Sequence, residues 1–355
     1  MSRLTKSSTL HIARALMTAT LIPIAIGGPA MADQKPAQKP VLTYSNVLQA
    51  EAQSKTACEA AGGRIFVDTK WGSECIAYFV TAGFEKLRRA VVFFDGDMAL
   101  EKYADPAKMA AALDANKIML QRWSDKLKVR YLFVSRVGLN GSSGNHGERR
   151  KPRELMILNA ATDILKAKLG LDTIALAGQS GGSTIAASML SLGRNDVTCA
   201  VLGSGAYELV GLHHKNLAAL GKKVSTDKLQ DTMFDPASHV DSIVPNAQRR
   251  ILILGDKSDT RTPFDQQQRY AASLASFGHH VKLIPIDASG ELSHGTTVYT
   301  IPTAGGCLNG VSDERLVEAN NKVSKQRAAA EIANAAPPAS GAAALMRTSL
   351  SGDGK

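Results

Sequence analysis

Short, almost wholly apolar runs alternate with longer mixed stretches over most of the chain. Ala90-Val91-Val92-Phe93-Phe94, Tyr131-Leu132-Phe133-Val134, Thr173-Ile174-Ala175-Leu176-Ala177, Cys199-Ala200-Val201-Leu202, Arg250-Ile251-Leu252-Ile253-Leu254 and Val281-Lys282-Leu283-Ile284-Pro285-Ile286 are the clearest. Runs this brief, without polar alternation, predict strands buried on both faces, and therefore a mostly parallel sheet. The stretches between them read as helices: Ala107–Lys128, with an apolar face of Met109, Leu113, Ile118 and Leu120; Glu154–Leu169; and the small apolar segment Ser183–Leu190. Strand and helix in alternation give an α/β fold with helices on both faces of the sheet. Two short strands near Ile65 and Ile76 precede the first core strand. The stretch 205–249 is long enough for a small helical cap, and 324–355 is an Ala-rich tail whose first part extends a helix and whose remainder has a disordered composition.

Chemistry gathers where these strands end. The third core run leads straight into Gly178-Gln179-Ser180-Gly181-Gly182 and then a helix. A strand, a G-x-S-x-G turn and a helix form a nucleophile elbow, in which small neighbours let the strand and helix pack closely around a strained serine. An activated serine needs a base to take its proton and an acid to orient that base. Asp259 lies in the loop after Arg250–Leu254, and His294 lies beyond Val281–Ile286, so both fall at carboxyl ends of strands, where ligands collect in open α/β sheets. The competing readings are a turn aspartate at 259, with Asp256 as its nearest rival, and a loop histidine without a task at 294. His146, in the glycine-rich loop Arg136–His146, is the reserve histidine, and that loop is read as a wall of the cleft. An oxyanion would be held by the N–H of Gly181 and, from the loop Asp95-Gly96-Asp97-Met98, the N–H of Asp97. No Cys/His/carboxylate cluster has metal-ligand spacing, and no cofactor is implied.

With these residues in place, the chain resembles the α/β-hydrolase superfamily, and more narrowly the catalytic domain of the prolyl oligopeptidase and dienelactone hydrolase branch. Asp235-Pro236-Ala237-Ser238-His239-Val240-Asp241-Ser242-Ile243, Gly255–Pro263 and Leu274-Ala275-Ser276-Phe277-Gly278 carry that narrower likeness, which spans roughly residues 85–305. The resemblance implies Ser180 as nucleophile, Asp259 as acid and His294 as base, acting on an ester or a peptide. The branch usually carries His-Gly after its first core strand, and this chain has Asp95 there. A carboxylate aimed into the cleft would repel an oxyanion, which leaves a non-catalytic binding protein on the same scaffold as the alternative. Only about fifty residues separate the expected leader from the core, too few for a propeller domain, which favours an esterase over an oligopeptidase.

The remaining composition bears on compartment. Arg3, Lys6 and Arg14, an apolar stretch Ala15–Gly28 and Ala30-Met31-Ala32 read as a secretory signal peptide, with cleavage expected after Ala32 and a linker at 33–45; the hydrolase domain is expected over 46–323. The apolar core of the leader is broken by Pro23, Gly27 and Gly28, which argues against a stable membrane span. Four cysteines in an exported chain point to disulfides. Four cysteines allow three connectivities and the sequence alone does not choose among them. Cys58 and Cys75 bracket a hairpin-like stretch and are expected to pair, and Cys199, opening a strand, and Cys307, placed after the helix that follows His294, are the second expected pair, at the opposite end of the sheet from the serine. The formal charge is +10, part of it in Arg149, Arg150, Lys151 and Arg153, read as a solvated patch. Aromatic residues are 5% of the chain and no nucleic-acid motif occurs, so the expected partner is a small-molecule or peptide substrate rather than nucleic acid.

Overall fold

The structure, a computed structural model, describes residues 54–60, 62–97, 106–223, 225–290 and 292–335. The expected leader, its cleavage site, the linker and the last twenty residues lie outside the described residues. Eight strands form one sheet in the order β1-β2-β4-β3-β5-β6-β7-β8. They are β1 (Arg64–Thr69), β2 (Gly72–Val80), β3 (Arg89–Phe94), β4 (Arg130–Val134), β5 (Thr173–Gln179), β6 (Val197–Gly203), β7 (Arg250–Gly255) and β8 (His280–Pro285). β1 pairs antiparallel with β2 and β2 with β4, while every pairing from β4 to β8 is parallel.

Alternation along each strand divides the core in two. Val92, Phe94, Leu132, Leu176, Leu202 and Ile253 face one side. There they meet helices α3 (Pro152–Leu169), α4 (Gly181–Leu190) and α7 (Phe264–Ser276). Val91, Phe93, Phe133, Ala177, Val201 and Leu252 face the other side, against α2 (Pro106–Leu127), α8 (Thr297–Leu308) and α9 (Asp313–Ala335). The described residues also include the short helices α1 (Lys55–Ala60), α5 (Leu209–Ala219) and α6 (Thr226–Thr232). The last two lie in the stretch read as a cap, which closes with a 3₁₀ turn at Pro236–Ser242.

Two expectations, on Ile118 and on Cys307, need correction. Ile118 is 65% exposed rather than part of the buried face of α2; that face runs through Leu113, Leu120, Trp123 and Leu127, which recur at helical spacing, whereas Ile118 falls well off the stripe. Helix α9 runs through residue 324 to Ala335, the Ser324 hydroxyl accepting from the Asp287 N–H at 3.1 Å, which accords with a tail whose first part extends a helix. Cys307 lies in the last turn of α8, not beyond the helix.

The chain reverses its course across the sheet between β3 and β5. β3 connects through α2 to β4 on one side, and the chain then returns through α3 to β5 on the other side of β3. At such a switch point the loops leaving the two strands diverge, opening a crevice at their carboxyl ends. Both disulfides pair as expected. Cys58–Cys75 ties α1 to β2, and Cys199–Cys307 ties β6 to α8 near the amino-terminal ends of the parallel strands, remote from that crevice.

One stability prediction concerns these ties and a second a buried carboxyl. The Cys199–Cys307 bridge closes a loop of 108 residues. Replacing both cysteines with alanine is expected to cost up to about 4.7 kcal/mol in the chain-entropy account; an unchanged urea midpoint would contradict the bridge. In the cap stretch, buried Asp235 accepts hydrogen bonds from the Leu209 N–H (2.9 Å) and the Ser238 hydroxyl (3.2 Å). Burial nevertheless pushes its carboxyl up to about 6. The folded state therefore holds this proton more tightly than the unfolded chain, and ionisation costs stability as pH rises from about 4 through 6. Asp235→Asn should raise the thermal midpoint at pH 7.5 by more than at pH 4.5; an equal change at both would refute the assignment.

Candidate active site

β5 delivers Ser180 to the crevice at φ 54°, ψ −122°, a conformation that a non-glycine residue adopts only under strain of about 1–3 kcal/mol. The surroundings over-determine it. The Ser180 N–H donates to the Gly203 carbonyl at 2.8 Å, its carbonyl accepts from the Thr184 N–H at 3.1 Å, and α4 begins at once. A side chain at Gly182 would collide with the carbonyls of Phe94 and Asp95, so the elbow is pressed directly against the exit of β3.

Ser180, Asp259 and His294 come together although 114 and 35 residues separate the successive pairs. The Ser180 Oγ lies 2.8 Å from His294 Nε2, and His294 Nδ1 lies 2.8 Å from Asp259 Oδ2. Ser180 and Asp259 are buried and the His294 side chain is 12% exposed. Burial alone would raise the Asp259 carboxyl, but the bond to His294 and those from the Thr262 N–H and hydroxyl hold it below its ordinary value. Asp259 Oδ1 accepts from the N–H groups of Arg261 and Thr262, both at 2.9 Å, which fixes the plane of the carboxylate. The rival Asp256 is committed elsewhere: its oxygens accept from the Ser258 and Ala288 N–H groups at 2.7 Å. A neutral imidazole between a serine hydroxyl and a buried carboxylate can accept the serine proton and share the resulting charge.

Several sequence readings around the site change. Asp95 does not aim into the crevice; its carboxylate accepts from Asn116 Nδ2 on α2 at 2.7 Å and from the Gly96 N–H at 2.8 Å, and burial raises its pKa. Its neighbour Asp97 turns inward instead and meets Arg136, Arg149 and Arg150. Burial would raise the Asp97 carboxyl, yet these guanidinium groups hold it well below the usual carboxylate range. The basic junction is accordingly no solvated patch. Arg149 and Arg150 engage Asp97, and Arg153, almost wholly buried, pairs with Glu74 at 2.9 Å. His146 is buried beside this cluster, its Nδ1 3.1 Å from the Val137 carbonyl, and takes no part in the Ser180 chain; burial, then Arg136, lowers its pKa to about 4. The middle of the loop Arg136–His146 lies along β2, where Ser142 and Ser143 hydroxyls accept from the Ala77 and Cys75 N–H groups.

Three side chains bonded around the site escaped the sequence reading. Gln179, the variable residue of G-x-S-x-G, donates through Nε2 to the His294 carbonyl at 3.0 Å. Thr262 donates to Asp259 Oδ2 at 2.8 Å or to the Ser204 carbonyl at 3.0 Å. Arg136 is entirely buried between Asp97 and Glu154. The signal for Arg136 was a single cation immediately after a buried strand, at the same end of the sheet as Ser180. Among the described residues, no helix is long and apolar enough to cross a membrane.

No protein-family model matches the sequence, and no curated protein matches it either. Solved structures do. An esterase of Pyrococcus furiosus matches with a TM-score of 0.51 at 14% identity, over 74% of this chain and 97% of that one. The corresponding values are 0.48, 12%, 70% and 97% for Est1E of Butyrivibrio proteoclasticus. For an acylaminoacyl peptidase of Pyrococcus horikoshii they are 0.45, 15%, 67% and 38%. At such identities the likeness is one of architecture, and the architecture, with its sheet order and its serine elbow after β5, is the α/β-hydrolase fold.

Proposed function

We propose that the chain is an exported serine hydrolase that cleaves an ester or a peptide/amide bond through an acyl-enzyme on Ser180. The observation that carries this reading is the unbroken hydrogen-bonded chain Ser180–His294–Asp259, set at three strand ends beside a switch-point crevice. His294 takes the hydroxyl proton as Ser180 attacks the carbonyl, and returns it to the leaving group as the tetrahedral intermediate collapses. Asp259 keeps the Nδ1 proton on the correct nitrogen and balances the imidazolium. The N–H groups of Gly181 and Asp97 receive the oxyanion. Water then repeats the sequence to free the acyl group. Export rests on the leader pattern and is supported by two disulfides, which persist in oxidising compartments. The non-catalytic alternative depended on a carboxylate at 95 facing the crevice, and Asp95 faces α2 instead.

Labelling of the purified protein by a fluorophosphonate tests the reading without knowledge of the natural substrate. Wild type is expected to label and Ser180→Ala not to; a folded wild type that stays unlabelled would overturn it. On a p-nitrophenyl ester, Ser180→Ala and His294→Ala should each lower kcat by about 10⁴–10⁶-fold, and the double variant should be no worse than either, because the groups act as one unit. Additive losses would mean that the two side chains do not share a step.

A further inference from the structure

The two backbone segments proposed to hold the oxyanion, at residues 97 and 181, belong to the loop after β3 and to the start of α4, and no ladder pairing described between β3 and β5 extends beyond Phe94 and Gly178. We infer that the Asp97–Arg136 ion pair is a brace that holds these segments in register, making Arg136 and the Asp97 carboxylate positioning groups for the hydrolysis proposed above, on which this inference rests.

Arg136 Nε and Nη2 each donate at 2.9 Å to the two oxygens of Glu154, in the first turn of α3. This bidentate pair fixes the plane of the guanidinium. The remaining Nη1 donates to Asp97 Oδ1. The pair formed there rests directly on the elbow: a Cβ placed on Gly181 would collide with both Asp97 Oδ1 and Arg136 Nη1. Gly181 is therefore the residue whose bareness admits the brace, and the Asp97 carboxylate lies against the same residue whose N–H would serve the oxyanion. From the other side Arg150 Nη2 and Arg149 Nε (3.2 Å) hold Asp97 Oδ2. The loop after β3 is thus pinned at its third residue by Arg136 from the β4 exit and by Arg149 and Arg150 from the turn that precedes α3, while Gly96 leaves it free to turn tightly against Gln179 and Ser180.

Electrostatics agrees with this role. A lone carboxylate beside the elbow would oppose a developing negative charge. Counted together, Arg136, Arg149, Arg150, Asp97 and Glu154 carry a net charge of +1, so the brace places no net negative charge near the oxyanion. A role confined to stability would lower the melting midpoint and leave turnover per folded molecule unchanged. A brace for the oxyanion donors acts on kcat, because those donors bind the transition state more tightly than the ground state.

The test uses the full chain with Asp97→Ala, Asp97→Asn and Arg136→Lys, and Ser180→Ala as the chemical control. For Asp97→Ala, kcat on a p-nitrophenyl ester is expected to fall about 10²–10³-fold, with KM changed less than about threefold. Affinity for a methyl trifluoromethyl ketone, which forms a tetrahedral adduct on an activated serine, should fall by the same factor as kcat. Asp97→Asn retains an acceptor for Arg136 and should recover at least about tenfold of the loss. If Asp97→Ala does not fold, Asp97→Asn and Arg136→Lys carry the test, each with a kcat deficit of about tenfold at unchanged KM. A folded Asp97 variant with wild-type kcat and ketone affinity would overturn the brace while leaving the hydrolase reading intact. A wild type that neither labels with fluorophosphonate nor loses turnover on Ser180→Ala would remove both.

Discussion

The close approach of the start of α4 to the exit of β3 is the constraint on which the site depends. In a parallel sheet each strand must hand the chain to a crossover, and at a switch point two such exits part from each other. Here they part and yet touch, because Gly182 lies against the carbonyls of Phe94 and Asp95 and Gly181 lies against Asp97. A larger residue at either position would push the elbow from the sheet end. Ser180 would then leave the reach of His294, which is itself tied back to β5 by Gln179. One steric fact thus sets the position of Ser180 and the path of the loop after β3.

Buried charge supplies the second layer. Arg136 sits at the crossing of β4, α3 and the β3 exit, and its enclosure is tolerable because Glu154 and Asp97 engage all three of its nitrogens and balance its charge. Such pairs contribute little net stability compared with an apolar replacement of the same volume, but they are directional. Apolar packing would fill the space between three loops without fixing the angle of any of them. A planar guanidinium with committed partners fixes all three.

The sheet and the serine chain were legible in the sequence for one reason: strands buried on both faces are uninterrupted apolar runs, so their carboxyl ends can be counted, and Ser180, Asp259 and His294 each follow one. The supporting shell was not legible, because its partners meet only through the fold. Arg136 and Asp97 are 39 residues apart and neither belongs to a motif. The basic run at 149–153 looked like a surface feature because the acids that neutralise it, Asp97 and Glu74, lie on other elements. Ile118 shows the limit of periodicity on a helix of mixed composition, where an apolar residue off the stripe is exposed.

The strained turn at Ser180 has a meaning that contacts alone do not convey. Its φ of 54° belongs to the backbone and is imposed on whatever residue stands there. Glycine would accept that conformation freely, so a serine at this position costs about 1–3 kcal/mol of a folding free energy that totals only about 5–15 kcal/mol. Drift governed by folding alone would erode this position toward glycine early. A serine held in a glycine conformation, in the midst of three glycines that already ease the turn, marks the place in this chain where stability has been exchanged for a hydroxyl group.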